Sequence, residues 1–365
     1  MTDDTSGSPF DFAEHERSSI AEYLRQYAYY SDLADVLHRI LHESITRREI
    51  KVHSVEARPK DPASFGKKAA QPSEIDPTKP KYPRPMEQIT DCAAARVITF
   101  FPSTISQIDQ VVADEFEIVE RSDKGAQLLQ EERFGYNSVH YLVRLTKERA
   151  KLPEYKRFGE SVVEIQARTI LQHAWAEIEH DIQYKSAAVI PPGIRRRFMG
   201  LAGVLEIADR EFQAVQDDDA RLTREARSRV EGGHLAGLEI TPDALKAFLD
   251  KRLGADARIS VYSYTWEAQL LLRLGFRTLG QVDKCIRDYD DDRISRALAG
   301  GRQGQTTRFG YLLLAGMGEP YINRHSWAGQ SWWQEMGQRN LELLRKMEIP
   351  IRAYDPLADP STATA

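Results

Sequence analysis

The chain has 365 residues, 41% of them hydrophobic and 29% charged, which excludes a disordered or fibrous polymer and leaves room for one large domain plus a smaller one. Its net charge of -5 argues against an indiscriminately basic nucleic-acid coat, while permitting local patches such as Arg195-Arg196-Arg197. Cys92 and Cys285 are the only cysteines, too few for a disulfide framework or a four-cysteine zinc site. With a polar N-terminus and no apolar run near the roughly 20 residues of a bilayer span, a cytoplasmic chain without a membrane partner is expected.

In chain order, residues 1–10 read as a disordered tail, and 11–48 lack Pro and Gly and carry Ile20, Leu24, Tyr27, Leu33, Val36, Leu37, Ile40 and Leu41 at mostly helical spacing. This predicts a helical prologue in two pieces. Residues 51–60 read as a strand, followed by a Pro/Lys/Ser-rich, mobile connection as far as Pro85. Strands are then expected at 92–101, 116–121, 136–145 and 162–167, with helices at 103–114, 169–184 and 195–216. Such alternation implies an α/β or α+β sheet with helices packed on it. In the helix after Glu164, Leu171, Trp175, Ile178 and Ile182 make the apolar stripe.

The first domain is expected to span 11–216, a charged and then glycine-rich linker 217–239, and a mostly helical second domain 240–356, before a disordered tail at 357–365. Thr241-Pro242-Asp243 is a helix-start pattern. From its position, the second domain is expected to regulate the first or to mediate homo-oligomerisation.

Strand parity locates a polar site. On a strand, Glu164, Gln166 and Arg168 share one face above Val163, Ile165 and Ala167, so a carboxylate, an amide and a guanidinium converge. Tyr136, Ser138 and His140 repeat the device. If adjacent, the two strands line one cleft. Glu177-x-x-His180 matches half of a di-iron carboxylate motif, but the sequence offers no second copy.

Four separated motifs resemble the synthetase domain of the RelA/SpoT family. They are Arg58-x-Lys60-x-x-x-Ser64-x-x-x-Lys68, Asp91-x-x-x-x-Arg96, Gly135-Tyr136-x-Ser138-x-His140, and Glu164-x-Gln166-x-Arg168-Thr169 continuing into His173-Ala174-Trp175. Each is weak alone; their shared order over residues 45–215 is the specific signal. The resemblance implies a nucleotidyltransferase-like mixed sheet flanked by helices, and transfer of pyrophosphate from ATP to the ribose 3′-hydroxyl of GDP or GTP, making (p)ppGpp. The space before residue 50 does not accommodate the family's hydrolase domain, so synthesis without hydrolysis is expected.

The resemblance also implies residue roles. Asp91 and Glu164 would hold Mg²⁺, with Glu164 as general base. Arg58 and Arg96 would sandwich adenine, while Lys60, Ser64 and Lys68 cradle the ATP phosphates. Tyr136 would stack on the acceptor base, with His140 and Gln166 near its ribose. Family members usually carry a lysine four residues before that tyrosine and an arginine just after it; here Glu132 and Asn137 stand there. A carboxylate repels 5′-phosphates. The acceptor therefore stays open between a guanine nucleotide and the 3′-terminal adenosine of tRNA, as in toxin-like synthetases. A third reading is a nucleotide sensor without turnover.

Overall fold

The structure, a computed structural model, describes residues 10–130, 138–185, 191–256 and 259–359. It divides into two compact units, residues 1–215 and 216–365.

In the first unit, α1 (Phe12–Arg25) and α2 (Tyr27–Arg47) lead into β1 (Val52–Pro59), α3 (Pro62–Ala69), α4 (Pro85–Gln88) and β2 (Ala93–Thr99). There follow α5 (Pro102–Glu115), β3 (Phe116–Asp123), α6 (Lys124–Gln130), β4 (Val139–Leu145), α7 (Lys147–Ala150), β5 (Val163–Thr169), α8 (Ile170–Lys185) and α9 (Pro192–Glu231). The five strands form one sheet in the order β1-β2-β5-β4-β3. β2 and β5 run parallel and every other pair antiparallel. The helix-flanked sheet is the one expected from the alternating texture, and its mixed pairing is what the family resemblance implied.

One sheet face is covered. Ala95, Val97, Tyr141, Val143, Ile165 and Ala167 pack there against Leu37, Ile40 and Leu41 of α2 and Ile108, Val111 and Val112 of α5. The alternate residues Ala94, Arg96, His140, Leu142, Glu164 and Gln166 are only partly buried. Period-two alternation thus reserves the second face for polar chemistry.

Three local expectations change. The connection after Lys60 contains α3, which Asp61 caps by accepting from Ser64 N while Pro62 occupies the first helical turn. Phe65 and Ala69 are fully buried, so this segment belongs to the fold. In α8 the buried residues are Gln172 and Trp175, whereas Ile178 is 55% exposed and is not part of the packed stripe. Trp175 packs on Phe198 and Ala202 of α9 and donates its indole N–H to Phe198 O at 3.2 Å. Finally, 217–231 continues α9 as helix; the turn comes only at Gly232-Gly233.

The second unit is helical: α10 (Pro242–Leu253), α11 (Val261–Leu274), α12 (Leu279–Ile286), α13 (Asp291–Ala299), α14 (Gln305–Met317), α15 (Glu319–Arg324) and α16 (Ser331–Lys346). Thr241 caps α10 as its sequence predicts, accepting from Ala244 N at 3.2 Å. The core includes Leu245, Phe248, Leu249, Leu271, Leu274 and Phe309. Gly275 ends α11 with φ +104, a left-handed conformation that favours glycine. Gly316 lets α14 approach α12 so closely that a Cβ there would lie 2.4 Å from Cys285 Sγ. Among the described residues, no helix is long and apolar enough to cross a membrane.

Candidate active site

The sheet register assembles the site. Arg58 of β1 stands opposite Ala94 of β2, which stands opposite Glu164 of β5. The neighbouring rung on the same face carries Glu56, Arg96, Gln166 and His140 in line across four strands. Asp91 lies two residues before β2, at the end of the sheet where β5 also begins.

Asp91 is held between two lysines. Lys60 Nζ donates to its Oδ2 at 2.7 Å and Lys68 Nζ to its Oδ1 at 3.0 Å. Burial opposes ionisation of Asp91, but the two ammonium groups outweigh it and keep the carboxyl below its usual pKa. Lys60 lies at the end of β1 and Lys68 in the last turn of α3. Two of the three sequence-predicted phosphate ligands therefore converge on the sequence-predicted metal ligand, and the third does not. Ser64, in the first turn of α3, is exposed, and its hydroxyl donates to Asp61 at 3.0 Å.

Glu164 is held by β4. His140 Nδ1 lies 2.6 Å from Glu164 Oε1, and Ser138 Oγ lies 2.6 Å from His140 Nε2. A carboxylate only accepts, so Nδ1 carries the shared proton. Burial again opposes ionisation, and the His140 contact, helped by a hydrogen bond from Gln166, overcomes it and lowers the Glu164 pKa. The charge of Asp91 acts on Glu164 in the opposite sense, so the two carboxylates lie within electrostatic reach. The Ser-His-Glu order matches a nucleophile, base and orienter. Ser138 is fully buried, however, and no substrate can approach its hydroxyl. It anchors the imidazole.

Arg58 is exposed on the same face. Arg96, diagonal to it, donates to Glu177 Oε1 of α8 at 2.9 Å, and Arg168 reaches the same oxygen at 3.2 Å. Glu177 thus serves as a shared counter-charge for two guanidinium groups. Tyr136, with Glu132 and Asn137, lies outside the described residues. Arg195, Arg196 and Arg197 are exposed in the first turns of α9.

The roles of two residues escape sequence reasoning. Tyr23 of α1 is fully buried, and its hydroxyl lies 2.9 Å from Lys60 O and 3.0 Å from Cys92 O, sharing its proton between the carbonyls that flank the Lys60–Asp91 pair. Its ring stacks on Phe65 of α3 at 4.4 Å, so the same residue also supports the helix that brings Lys68. Glu177 is the other. A tyrosine in an amphipathic helix and a glutamate on an exposed helical face carry no signal of these partners.

Among the described residues, no group of three or more His, Cys, Asp or Glu side chains forms a metal cage. Two ionised carboxylates nevertheless suit a hard cation that completes its shell with water and phosphate oxygens.

A sequence profile described as "Region found in RelA / SpoT proteins" matches residues 57–189. Residues 57–189 of this chain are therefore similar to that region. The match covers Arg58, Lys60, Lys68, Asp91, Arg96, His140, Glu164 and Gln166, all placed on or beside the open sheet face. Outside it, the prologue helices supply Tyr23. Two curated relatives from Bacillus subtilis (strain 168) are similar: GTP pyrophosphokinase YjbM, 26% identical over 137 residues, and GTP pyrophosphokinase YwaC, 26% identical over 134 residues. Each alignment covers 36% of this chain and 60% of the relative. The chain thus matches about 60% of the length of these relatives. Among solved structures, small alarmone synthetase 1 from Bacillus subtilis aligns with TM-score 0.44 and 22% identity, over 55% of this chain and 99% of that one. The same protein bound to its product pppGpp aligns with TM-score 0.43 and 23% identity, over 54% and 97%.

Proposed function

We propose that the RelA/SpoT region is a pyrophosphokinase that transfers the β,γ-pyrophosphoryl group of ATP to the ribose 3′-hydroxyl of GDP or GTP. The observation that carries this reading is the pair Asp91 and Glu164, both kept ionised, the first at the end of the sheet and the second on its polar face, with two lysines on the first and an imidazole on the second. Phosphoryl-type transfer demands positioning and charge compensation more than covalent chemistry, and this constellation supplies both. The relatives' activity, GTP pyrophosphokinase, supports the same assignment.

Each residue then has a task. Lys60 and Lys68 turn from Asp91 toward the ATP phosphates, exchanging one anionic partner for another, and Ser64 adds a hydroxyl. Arg58 and Arg96 are diagonal neighbours on antiparallel strands, about 7 Å apart along the backbone, a spacing that admits one flat ring between two stacked guanidinium groups. Glu164, already ionised, accepts the proton of the attacking 3′-hydroxyl, while Gln166 and His140 orient its carboxylate. Tyr136 stacks on the acceptor base. Asp91 and Glu164 would hold Mg²⁺, which when bound offsets charge on the phosphate oxygens.

The test uses purified chain, Mg²⁺ and ATP labelled at the β or γ phosphate, offered GDP, GTP or bulk tRNA. Label on the 3′ position of GDP or GTP is expected. Label on tRNA alone replaces the acceptor and keeps the donor site. Nucleotide binding without transfer to any acceptor overturns the enzymatic reading in favour of a sensor.

A further inference from the structure

The second unit contains a cavity of about 280 Å³ whose wall is aromatic. Trp266, Tyr321, His325, Trp327 and Trp333 line it and touch one another; the His325 ring stacks on Trp333 with centroids 3.9 Å apart, and Trp266 lies 5.7 Å from Trp327. Trp327 is 43% exposed.

Into this wall α11 inserts a carboxyl group. Glu267 is 7% exposed and lines the same cavity. Burial pushes it up to about 8, and among the described residues no hydrogen bond or opposite charge offsets that burial. A buried carboxyl without a partner is costly, and natural cores seldom retain one without a use. Among the described residues, no lysine or arginine lines the cavity. His325 does not supply the missing cation: burial drives it down to about 4, and its Nδ1 accepts from Trp327 N at 3.2 Å. Tyr321 adds a phenol, whose hydroxyl has room because Gly310 carries no Cβ.

We propose that this cavity binds a small organic cation, an alkylammonium or guanidinium group, seated against the indole faces and paired with Glu267. Aromatic faces attract cations through their quadrupole, most strongly where water is excluded. The carboxylate adds the full charge the rings lack. An anionic ligand such as a free nucleotide finds no lysine or arginine among the described lining residues, and an uncharged apolar one leaves Glu267 unpaired. The site is independent of the reading given to the RelA/SpoT region.

The experiment follows tryptophan fluorescence of the full chain titrated with choline, with agmatine, and with 3,3-dimethyl-1-butanol, the uncharged isostere of choline. Saturable quenching by at least one cation is expected, with the butanol weaker by about tenfold or more. Which cation binds decides between quaternary ammonium and guanidinium. Glu267→Gln, which removes a buried ionisable group without changing shape, is expected to keep the melting temperature and to abolish the discrimination. Equal affinity for choline and its isostere overturns the proposal, as does an absence of saturable quenching by both cations. Tighter binding of guanosine than of either cation does so too, by showing a site for a base. The wild-type comparison stands on its own if the variant fails to fold.

Discussion

Glu164 Oε1 lies 2.6 Å from His140 Nδ1 although the residue registered opposite Glu164 is Leu142 and the one opposite His140 is Gln166. The contact is diagonal, so the imidazole leans along the strand toward the end of the sheet where Asp91 sits. That lean leaves Gln166 free to support the same carboxylate.

The pH dependence follows from this pair. Glu164 has a folded pKa below its ordinary 4.5. Its ionisation therefore stabilises the fold fully above that value, and the contribution is lost as pH falls through the folded pKa. In His140→Ala burial prevails and the Glu164 pKa rises. The acid limb of the transfer rate and the acid unfolding midpoint are both expected to move to higher pH. Profiles that superimpose on wild type would remove His140 from this role.

Asp91→Asn keeps the shape of the side chain and leaves Lys60 and Lys68 close together without a counter-charge. Both a loss of stability on the order of 2 kcal/mol in urea unfolding and a fall in turnover of about 100-fold or more are expected. Wild-type turnover in this variant would refute the carboxylate pair.

Tyr23→Phe preserves the stack on Phe65 and deletes the proton shared by Lys60 O and Cys92 O. A loss of about 1 kcal/mol is expected, together with reduced transfer, because the ends of β1 and β2 that carry Lys60 and Asp91 lose their clamp. Reduced stability with an unchanged rate would confine Tyr23 to the fold.

Glu177→Gln removes the counter-charge of Arg96 and Arg168. With Arg96 no longer held, KM for ATP is expected to rise while kcat stays within about twofold, the pattern of lost binding contacts rather than lost chemistry. A fall in kcat at constant KM would place Glu177 nearer the reacting atoms.

Gly316→Ala tests the second unit alone. The added Cβ would meet Cys285 Sγ at 2.4 Å and Cys285 O at 2.6 Å, and backbone cannot swing aside as a side chain can. Destabilisation of about 1–3 kcal/mol is expected in thermal or urea unfolding.

Much of the site was legible because strands have period two. Glu164 and Gln166 share a face by parity alone, and so do Arg58 and Glu56, or Ala94 and Arg96. What parity cannot give is the order of strands, which puts β5 between β2 and β4 and so brings Glu164 beside both Asp91 and His140. The missed helix α3 has a local cause. The segment's prolines read as a connection, yet Pro62 sits in the tolerated first turn, and Gly66 is where Ile20 of α1 packs, 2.5 Å from where a Cβ would stand. Arg96 and Glu177 are 81 residues apart, and no local pattern encodes that pairing. Ile178 fits the helical period and still faces outward, since the period names a stripe without saying how far its partner extends.

The parallel pairing of β2 and β5 has an evolutionary corollary. Because both strands enter the sheet from the same side, the carboxylate before one and the carboxylate near the start of the other stay neighbours whatever the length of the chain that joins them. Insertions and deletions between Phe101 and Ser161 are thus buffered, whereas a slip of one residue between the two strands would carry Glu164 through to the apolar face. Changes in the length of the chain between the two strands can therefore accumulate without parting Asp91 from Glu164.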